Sequence, residues 1–301
     1  MSQQRAATLT EILCRRARQQ PDRTAFTFLA DGEVESARLT YAELDRQARA
    51  IAALLDESGA RNERVLLLFD AGLEFVTSFF GCLYAGAVAV PAPPPHPARL
   101  ARTLPRVQAI ASDSRPILAL TTTSLLSMVE GAPDLRALRW LTVDEMDLEA
   151  SARWQASPQT GDDLAYLQYT SGSTSTPKGV MVTHFCLVHQ SEHLARAYGY
   201  TPESVSATWM PNFHDYGLVE GIVHPAVCAV PAYLFSPLAF VQRPARWVEI
   251  ITRYAVTHCS GPHDHMSCDG RGAQRSGLRC RQHQPASRAT VPGAWASGQR
   301  A

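Results

Sequence analysis

The sequence predicts an α/β fold with mainly parallel sheets and helices on both faces. Short apolar runs rich in strand-forming residues alternate with segments whose apolar residues recur every three or four positions. The run at residues 65–69 is apolar throughout, as is typical of a strand buried in a parallel sheet. This alternation indicates βαβ units. With 301 residues, of which 46% are apolar, the chain can bury a substantial core.

A helix is predicted at the start of the chain, over residues 8–19. Thr8 or Thr10 is the expected N-cap, because either hydroxyl can accept a hydrogen bond from the first turn. Pro21 closes the helix, since proline disfavours helical backbone in the residue before it.

A β-hairpin is predicted next, with strands over residues 25–29 and 35–39. Asp31 and Gly32 between them are typical of a tight turn with positive φ angles. A second helix is predicted over residues 40–58, because its apolar residues have helical spacing and a glycine follows it.

An uncharged stretch over residues 75–92 is long enough to raise the question of a transmembrane helix. Gly81, Gly86 and the prolines at its end disfavour a membrane span, and we expect a buried helix followed by a strand at residues 88–90. Residues 219–241 are similarly apolar but are interrupted by prolines. No membrane span is expected.

Four further elements precede the centre of the chain. Helices are predicted over residues 98–112 and 124–129, and strands over residues 117–120 and 138–143. The acidic, polar segment at residues 144–163 is expected to be a linker or a crossing over the surface.

The centre of the sequence is a strand, a polar loop and a second strand. An apolar run at residues 164–169 enters a loop of Ser, Thr and Gly, which leaves through Pro177, Lys178 and Gly179 into the strand-like residues 180–182. Such a loop offers backbone N–H groups, hydroxyl donors and one cation, which are the groups needed to hold a polyphosphate. An ordinary hairpin loop has a similar composition and stays an alternative.

Two details refine the phosphate-binding hypothesis. Lys178 is the only lysine in the chain, and lysine differs from arginine in presenting a point charge on a flexible stem. A Walker A loop requires Gly at Pro177 and Ser or Thr at Gly179, so the pattern is not that of a P-loop.

A second candidate site follows a helix predicted over residues 183–198 and a strand over residues 205–210. The strand delivers His214 and Asp215 into a loop at its carboxyl end, where ligands bind in open α/β sheets. A structural pair, in which Asp215 fixes the imidazole tautomer, is an alternative to a catalytic role.

Three sequence blocks resemble a known family. They are YTSGSTSTPKGV at residues 169–180, WMPNFHDYG at residues 209–217 and SPLAFVQRPARW at residues 236–247. These blocks resemble the adenylate-forming superfamily of acyl-CoA synthetases, luciferases and nonribosomal peptide adenylation domains, and in particular its fatty acyl-AMP ligase branch. The resemblance extends from about residue 9 to residue 261 and implies the N-terminal part of the large domain of these enzymes.

The resemblance implies a two-step activation of a fatty acid. The carboxylate attacks the α-phosphate of Mg-ATP, giving acyl-AMP and pyrophosphate, and the acyl group then passes to the phosphopantetheine thiol of an acyl carrier protein. ATP and Mg²⁺ are the implied cofactors. The implied phosphate-binding residues are Thr170, Ser171, Gly172, Ser173, Thr174, Lys178 and Gly179. His214 is implied to lie at the acyl and adenylate site, with Asp215 in a supporting role.

Parts of the family pattern are not found in these 301 residues. They include the adenine-contacting segment, the ribose-binding Asp in its expected order and the distal lysine that promotes adenylation. We therefore expect this chain to be incomplete and inactive alone. Two alternatives stay open, namely an acyl-CoA synthetase that uses coenzyme A and a non-catalytic nucleotide-binding or interaction protein.

The last part of the sequence departs from the pattern. We expect a partial AMP-binding domain over residues 1–263 and a patternless tail over residues 264–301, which has too few large apolar residues to bury a core. A change of reading frame near His263 is the simplest hypothesis for the tail. The alternative is a zinc site that includes Cys259 and Cys268, but their spacing matches no zinc-finger pattern, and no metal site is predicted.

Charge and composition narrow the location and the partners. Lys and Arg together number 28, as do Asp and Glu, so the chain has no general attraction for nucleic acid or an anionic membrane. The N-terminal residues lack the apolar segment of a secretory signal. Seven cysteines without a regular spacing then indicate reduced, buried thiols in a cytoplasmic protein.

Overall fold

The computed structural model describes residues 7–129, 133–170 and 177–259. The strands are β1 (Thr24–Ala30), β2 (Val34–Thr40), β3 (Arg64–Leu68), β4 (Val88–Ala92), β5 (Leu118–Thr121), β6 (Arg139–Thr142), β7 (Leu164–Thr170), β8 (Lys178–Thr183), β9 (Ser206–Thr208), β10 (Ala232–Leu234) and β11 (His258–Cys259).

The helices are α1 (Leu9–Gln19), α2 (Tyr41–Glu57), α3 (Leu73–Ala85), α4 (Leu100–Ser114), α5 (Thr123–Val129), α6 (Pro133–Arg136), α7 (His184–Tyr198), α8 (Asp215–Leu218), α9 (His224–Cys228), α10 (Pro237–Gln242) and α11 (Ala245–Arg253). Short 3₁₀ turns lie at Pro97–Arg99 and Leu148–Arg153, and a π-helical turn at Val219–Val223 joins α8 to α9.

The described strands form two sheets. The first has the order β11-β9-β10-β1-β2, and the second has the order β6-β5-β3-β4-β7-β8. Neighbouring strands are parallel, except that the edge strands β2 and β8 pair antiparallel with β1 and β7. Asp31 and Gly32 turn the β1–β2 hairpin with φ angles of 50° and 71°. The predicted α/β class with mainly parallel sheets is confirmed.

Helix α3 lies in the core that the two sheets share. Twelve of its 13 residues are buried, and the surrounding core includes Phe26 of β1 and Tyr166 of β7. Gly81 allows α2 to pack closely, since a Cβ there would lie 2.5 Å from Cγ2 of Ile51. The uncharged stretch is thus the predicted buried helix and strand. Within the described ranges, we find no helix with the length and apolar character needed to cross a membrane.

Side-chain caps define the starts of α1 and α2. Thr8 and Glu11 form a capping box, in which each side chain bonds the backbone N–H of the other residue. Thr40 and Glu43 make the same arrangement at α2. The predicted Thr8 cap is confirmed, and caps of this kind contribute about 1 kcal/mol each.

The segment predicted as a linker is in part built into the domain. After the 3₁₀ turn at Leu148–Arg153, the Trp154 ring packs on Tyr84 at 5.1 Å, and its Nε1–H donates to the Tyr84 carbonyl at 3.1 Å. Gln159 is buried and donates to the Leu83 carbonyl at 2.6 Å. Most of residues 144–163 are exposed or half-buried, as expected for a crossing over the surface, but these two side chains fix the segment to the end of α3.

Candidate functional site

Strands β7 and β8, on either side of the predicted loop, pair antiparallel, and we call residues 164–170 and 177–183 the phosphate hairpin. Thr170 ends β7 and lies opposite Lys178, the first residue of β8. The Lys178 side chain is exposed at this end of the sheet. Residues 171–176 lie outside the described residues, and four of the candidate phosphate-binding residues fall there: Ser171, Gly172, Ser173 and Thr174. The structure therefore describes the base of the loop.

Tyr169 packs across the base of the hairpin on Gly179. The two residues are directly paired, and a Cβ on Gly179 would lie 3.0 Å from Cζ of the Tyr169 ring. Contacts this short require a neighbour to move, so the ring explains the need for glycine here. The predicted role of Gly179 in phosphate binding stays a prediction beside this structural one.

The Tyr169 hydroxyl fixes the hairpin to helix α4. It donates to Oδ2 of Asp113 at 2.5 Å, and the side chain is 5% exposed. Burial, followed by the hydrogen bond to Asp113, raises the pKa of Tyr169. The hydroxyl therefore stays a neutral donor, and one side chain holds the last turn of α4 and both strands of the hairpin together.

The second candidate group lies between β9 and α8, in residues 209–214, which we call the His214 loop. Strand β9 is shorter than predicted, because the Thr208 hydroxyl accepts from the Met210 N–H at 3.1 Å and turns the chain. Gly217 is required behind the loop, since a Cβ there would lie 2.1 Å from the Pro211 carbonyl oxygen.

Two hydrogen bonds connect the His214 loop to the second sheet. Nε2 of Gln168 in β7 donates to the Phe213 carbonyl at 3.0 Å. Nδ2 of Asn212 donates to the Asp70 carbonyl, just after β3, at 3.4 Å. The carboxyl ends of strands from both sheets thus meet at the loop that carries His214.

His214 and Asp215 form an exposed pair. Nδ1 of His214 lies 2.6 Å from Oδ1 of Asp215, and the Tyr216 N–H lies 3.3 Å from the same Nδ1 and 2.8 Å from the same Oδ1. The Tyr216 N–H thus donates to both side chains and holds the imidazole and the carboxylate together at the start of α8. Asp215 begins α8 and was expected in the loop, a correction of one residue that suits a supporting role for its carboxylate.

A small apolar cavity, with an enclosed volume of about 20 Å³ and in part open to solvent, lies beside the His214 loop. Its lining is mostly apolar and comes from both sheets: Phe28, Ala71, Gly72, Thr208, Met210, Asn212, Gly217, Ile222, Leu234 and Phe235. Ile222 stands in the π-helical turn, a feature that is frequent at functional sites. Sequence reasoning missed the lining from β1, β10 and the turn after β3, although the carboxyl ends of parallel strands were the available signal.

The described residues contain no group of three or more His, Cys, Asp or Glu side chains arranged to hold a metal ion. Of the residues considered for a zinc site, Cys259 is the last residue of β11. Cys268 and the predicted tail lie outside the described residues.

Comparison with known proteins provides independent information on this arrangement. The family model described as AMP-binding enzyme matches residues 13–267. A medium-chain-fatty-acid–acyl-carrier-protein ligase, JamA of Moorena producens (strain JHB), is 45% identical in an alignment of 300 residues that covers 97% of this chain and 51% of that protein. A long-chain-fatty-acid–AMP ligase, FadD26 of Mycobacterium marinum, is 34% identical in an alignment of 270 residues that covers 85% of this chain and 45% of that protein.

A solved structure agrees with these relatives. The fatty acyl-adenylate ligase from L. pneumophila, in complex with acyl adenylate and pyrophosphate, is 34% identical with a TM-score of 0.82. The match covers 90% of this chain and 47% of that one. The chain therefore spans about half the length of the relatives that it matches, and the predicted resemblance is confirmed.

Proposed function

The chain belongs to the AMP-binding enzyme family, and from this premise we propose that it binds ATP and a fatty acid as part of a fatty acyl-AMP ligase. In the proposed reaction a carboxylate oxygen bonds to the α-phosphorus of ATP, and pyrophosphate leaves. The acyl group of the resulting acyl-AMP then passes to the thiol of an acyl carrier protein. We place this activity in the cytoplasm.

The observation that carries the proposal is the position of Lys178 across from Thr170 at the base of the phosphate hairpin. Lys178 is the single lysine of the chain, and it is paired with Thr170 where the two strands flank a loop rich in Ser, Thr and Gly. An ammonium group there offsets the charge of the β- and γ-phosphates, and the loop supplies N–H and O–H donors. His214 lies on the neighbouring loop, which is bonded to the same strand β7.

Mg²⁺ would be held at this site mainly by the phosphates of the bound nucleotide. Within the described ranges no cluster of carboxylates and imidazoles surrounds a metal position, and the Asp113 carboxylate is already bonded to Tyr169. Mg²⁺ is commonly held by substrate phosphates with few protein ligands. When bound, the ion neutralises phosphate charge, while Lys178 and the loop orient the phosphates.

The apolar lining of the cavity beside the His214 loop is proposed to contact the alkyl chain of the acid. The cavity must widen on binding, because its enclosed volume of about 20 Å³ has room for little more than a water molecule. Each buried methylene contributes about 0.8 kcal/mol, so affinity should rise roughly fourfold for each added methylene that the widened cavity buries. Titration of the chain with saturated acids of increasing length, followed by calorimetry, tests this. A length-independent affinity would contradict the assignment of the cavity.

Binding of Mg-ATP tests the nucleotide site. We expect Lys178→Met to weaken binding at least tenfold, because it removes the one ammonium group at the hairpin. Arg139→Met is the matched control, since it removes an exposed cation from β6 at the far edge of the same sheet. Equal affinities of wild type and Lys178→Met would contradict the proposal.

Turnover separates the proposed class from an acyl-CoA synthetase, and ligand binding separates it from an interaction protein. We expect binding without fatty-acid-dependent pyrophosphate exchange from these 301 residues, because their one lysine is placed in the hairpin. Exchange followed by transfer to coenzyme A, with none to an acyl carrier protein, would instead support an acyl-CoA synthetase. If the chain binds neither ATP nor fatty acid, an interaction role is the better explanation.

A further inference from the structure

Gln168 stands two residues before the phosphate loop and is buried at 6% exposure. We propose that Gln168 is a positioning residue that fixes the His214 loop relative to the phosphate hairpin. This inference rests on the proposed function, because it concerns the alignment of the two halves of the same site.

The two faces of β7 point to different partners. Gln168 shares a face with Tyr166, which lies in the core between the two sheets. Tyr169, on the opposite face with Leu167, belongs to the core cluster that contains Val107 and Ile110 of α4. Of these two successive residues, Tyr169 holds the hairpin to α4, and Gln168 points toward the first sheet.

The bond made by Gln168 joins the two candidate groups over a short path. Its Nε2 donates to the carbonyl of Phe213 at 3.0 Å, and Phe213 immediately precedes His214. Thr170, at the base of the phosphate loop, is two residues from Gln168. Any shift of this side chain would therefore change the distance between the phosphate hairpin and the imidazole.

The amide oxygen of Gln168 indicates that this residue is not there for packing alone. Its Oε1 is buried and has no hydrogen-bond partner among the residues that the structure describes. A buried acceptor without a partner is unfavourable, and an apolar side chain of similar length would avoid it. Nε2 also lies 3.4 Å from the carbonyl of the neighbouring Tyr169, but its shorter bond, to Phe213, is the one that reaches another element and explains why an amide stands here.

Two ligands separate positioning from general stability. Magnesium pyrophosphate stands for the β- and γ-phosphates and needs the phosphate hairpin, whereas decanoyl-sulfamoyl adenosine is a stable mimic of acyl-AMP whose sulfamoyl group replaces the α-phosphate. The mimic needs the His214 loop held in place beside β7. We expect Gln168→Met and Gln168→Leu to weaken the mimic at least tenfold, because neither side chain can donate to the Phe213 carbonyl. Pyrophosphate affinity should stay within twofold.

Gln159→Met is the matched control. Gln159 is another buried glutamine whose amide donates to a backbone carbonyl, that of Leu83, away from the hairpin. We expect this variant to bind both ligands within twofold of wild type even where it lowers the melting temperature. Melting curves for all variants establish the folded fraction before each titration.

The outcomes are distinct. If wild type binds the mimic and both Gln168 variants bind it equally well, the inference is overturned while the proposed function stands. Equal loss of both ligands also overturns it, since that is the result of a structural role. If wild type binds neither ligand, the proposed function fails and the inference fails with it.

Discussion

At the scale of single residues, two histidines tie stability to pH. His184 is buried, and its Nδ1 accepts from the Leu9 N–H at 3.3 Å. Burial lowers its pKa to about 4, against the opposing charges of Asp163 and Glu11. His224 is fully buried, and burial with the nearby His258 lowers its pKa to about 4. Both rings are accommodated in their neutral form.

The sign of the effect follows from the two states. The unfolded chain takes up the proton near the ordinary pKa of 6.5, and the folded chain does so only near 4. Each neutral histidine therefore contributes its full stability above pH 6.5, and this is lost as the pH falls toward 4. The loss at pH 5 is about 2 kcal/mol for each ring.

Urea denaturation at pH 7.5 and pH 5 measures this loss. We expect His184→Gln to remove a large part of the decrease in unfolding free energy between the two values. His193→Gln is the control, because His193 is on the same helix but exposed. An unchanged pH dependence in the His184 variant would show that other groups govern acid stability.

At the scale of elements, the base of the phosphate hairpin is a packed unit. The Tyr169 ring is held by Asp113 on one side and lies on Gly179 on the other. We expect Gly179→Ala to cost about 1–3 kcal/mol, because the anchored ring cannot yield to the added methyl group. The cost should fall by at least half in a Tyr169→Leu background.

A double-mutant cycle by urea denaturation measures this coupling. Additive effects of the two substitutions would mean that the ring moves freely and that Gly179 is needed for another reason, such as close approach to phosphate. Thermal melting of Asp113→Asn checks the anchor, since this substitution weakens the charge-assisted bond and should lower the melting temperature.

The elements show how far sequence reasoning extends. The start of α1 at Thr8 and the hairpin turn at Asp31 and Gly32 were predicted because their signals are local. The packing of Trp154 on Tyr84 was missed, because it joins residues 70 positions apart that carry no periodic pattern. For the same reason the sequence indicated His214 but could not show that Gln168 binds the carbonyl beside it.

At the scale of the whole molecule, the class was predictable and the topology was not. Alternating strands and helices predicted parallel sheets, but not their division into two. Strand β1 pairs with β10, about 200 residues away, and brings Leu234 beside Phe28 in the lining of the cavity. Such pairings depend on which apolar faces bury each other, and a local pattern holds no information on them.

Among the described residues, strand β8 is an edge strand of the second sheet, and apolar side chains in and next to it are exposed. Met181 of β8 is 70% exposed, and Phe185, just beyond the strand, is 47% exposed. Edge strands of this kind pair with other chains because their backbone groups are not satisfied. We expect concentration-dependent self-association in sedimentation velocity, which Met181→Lys reduces. Val241→Lys is the matched control, since Val241 is also 70% exposed but lies on helix α10. Equal effects of the two substitutions would indicate general hydrophobic association and would contradict pairing through β8.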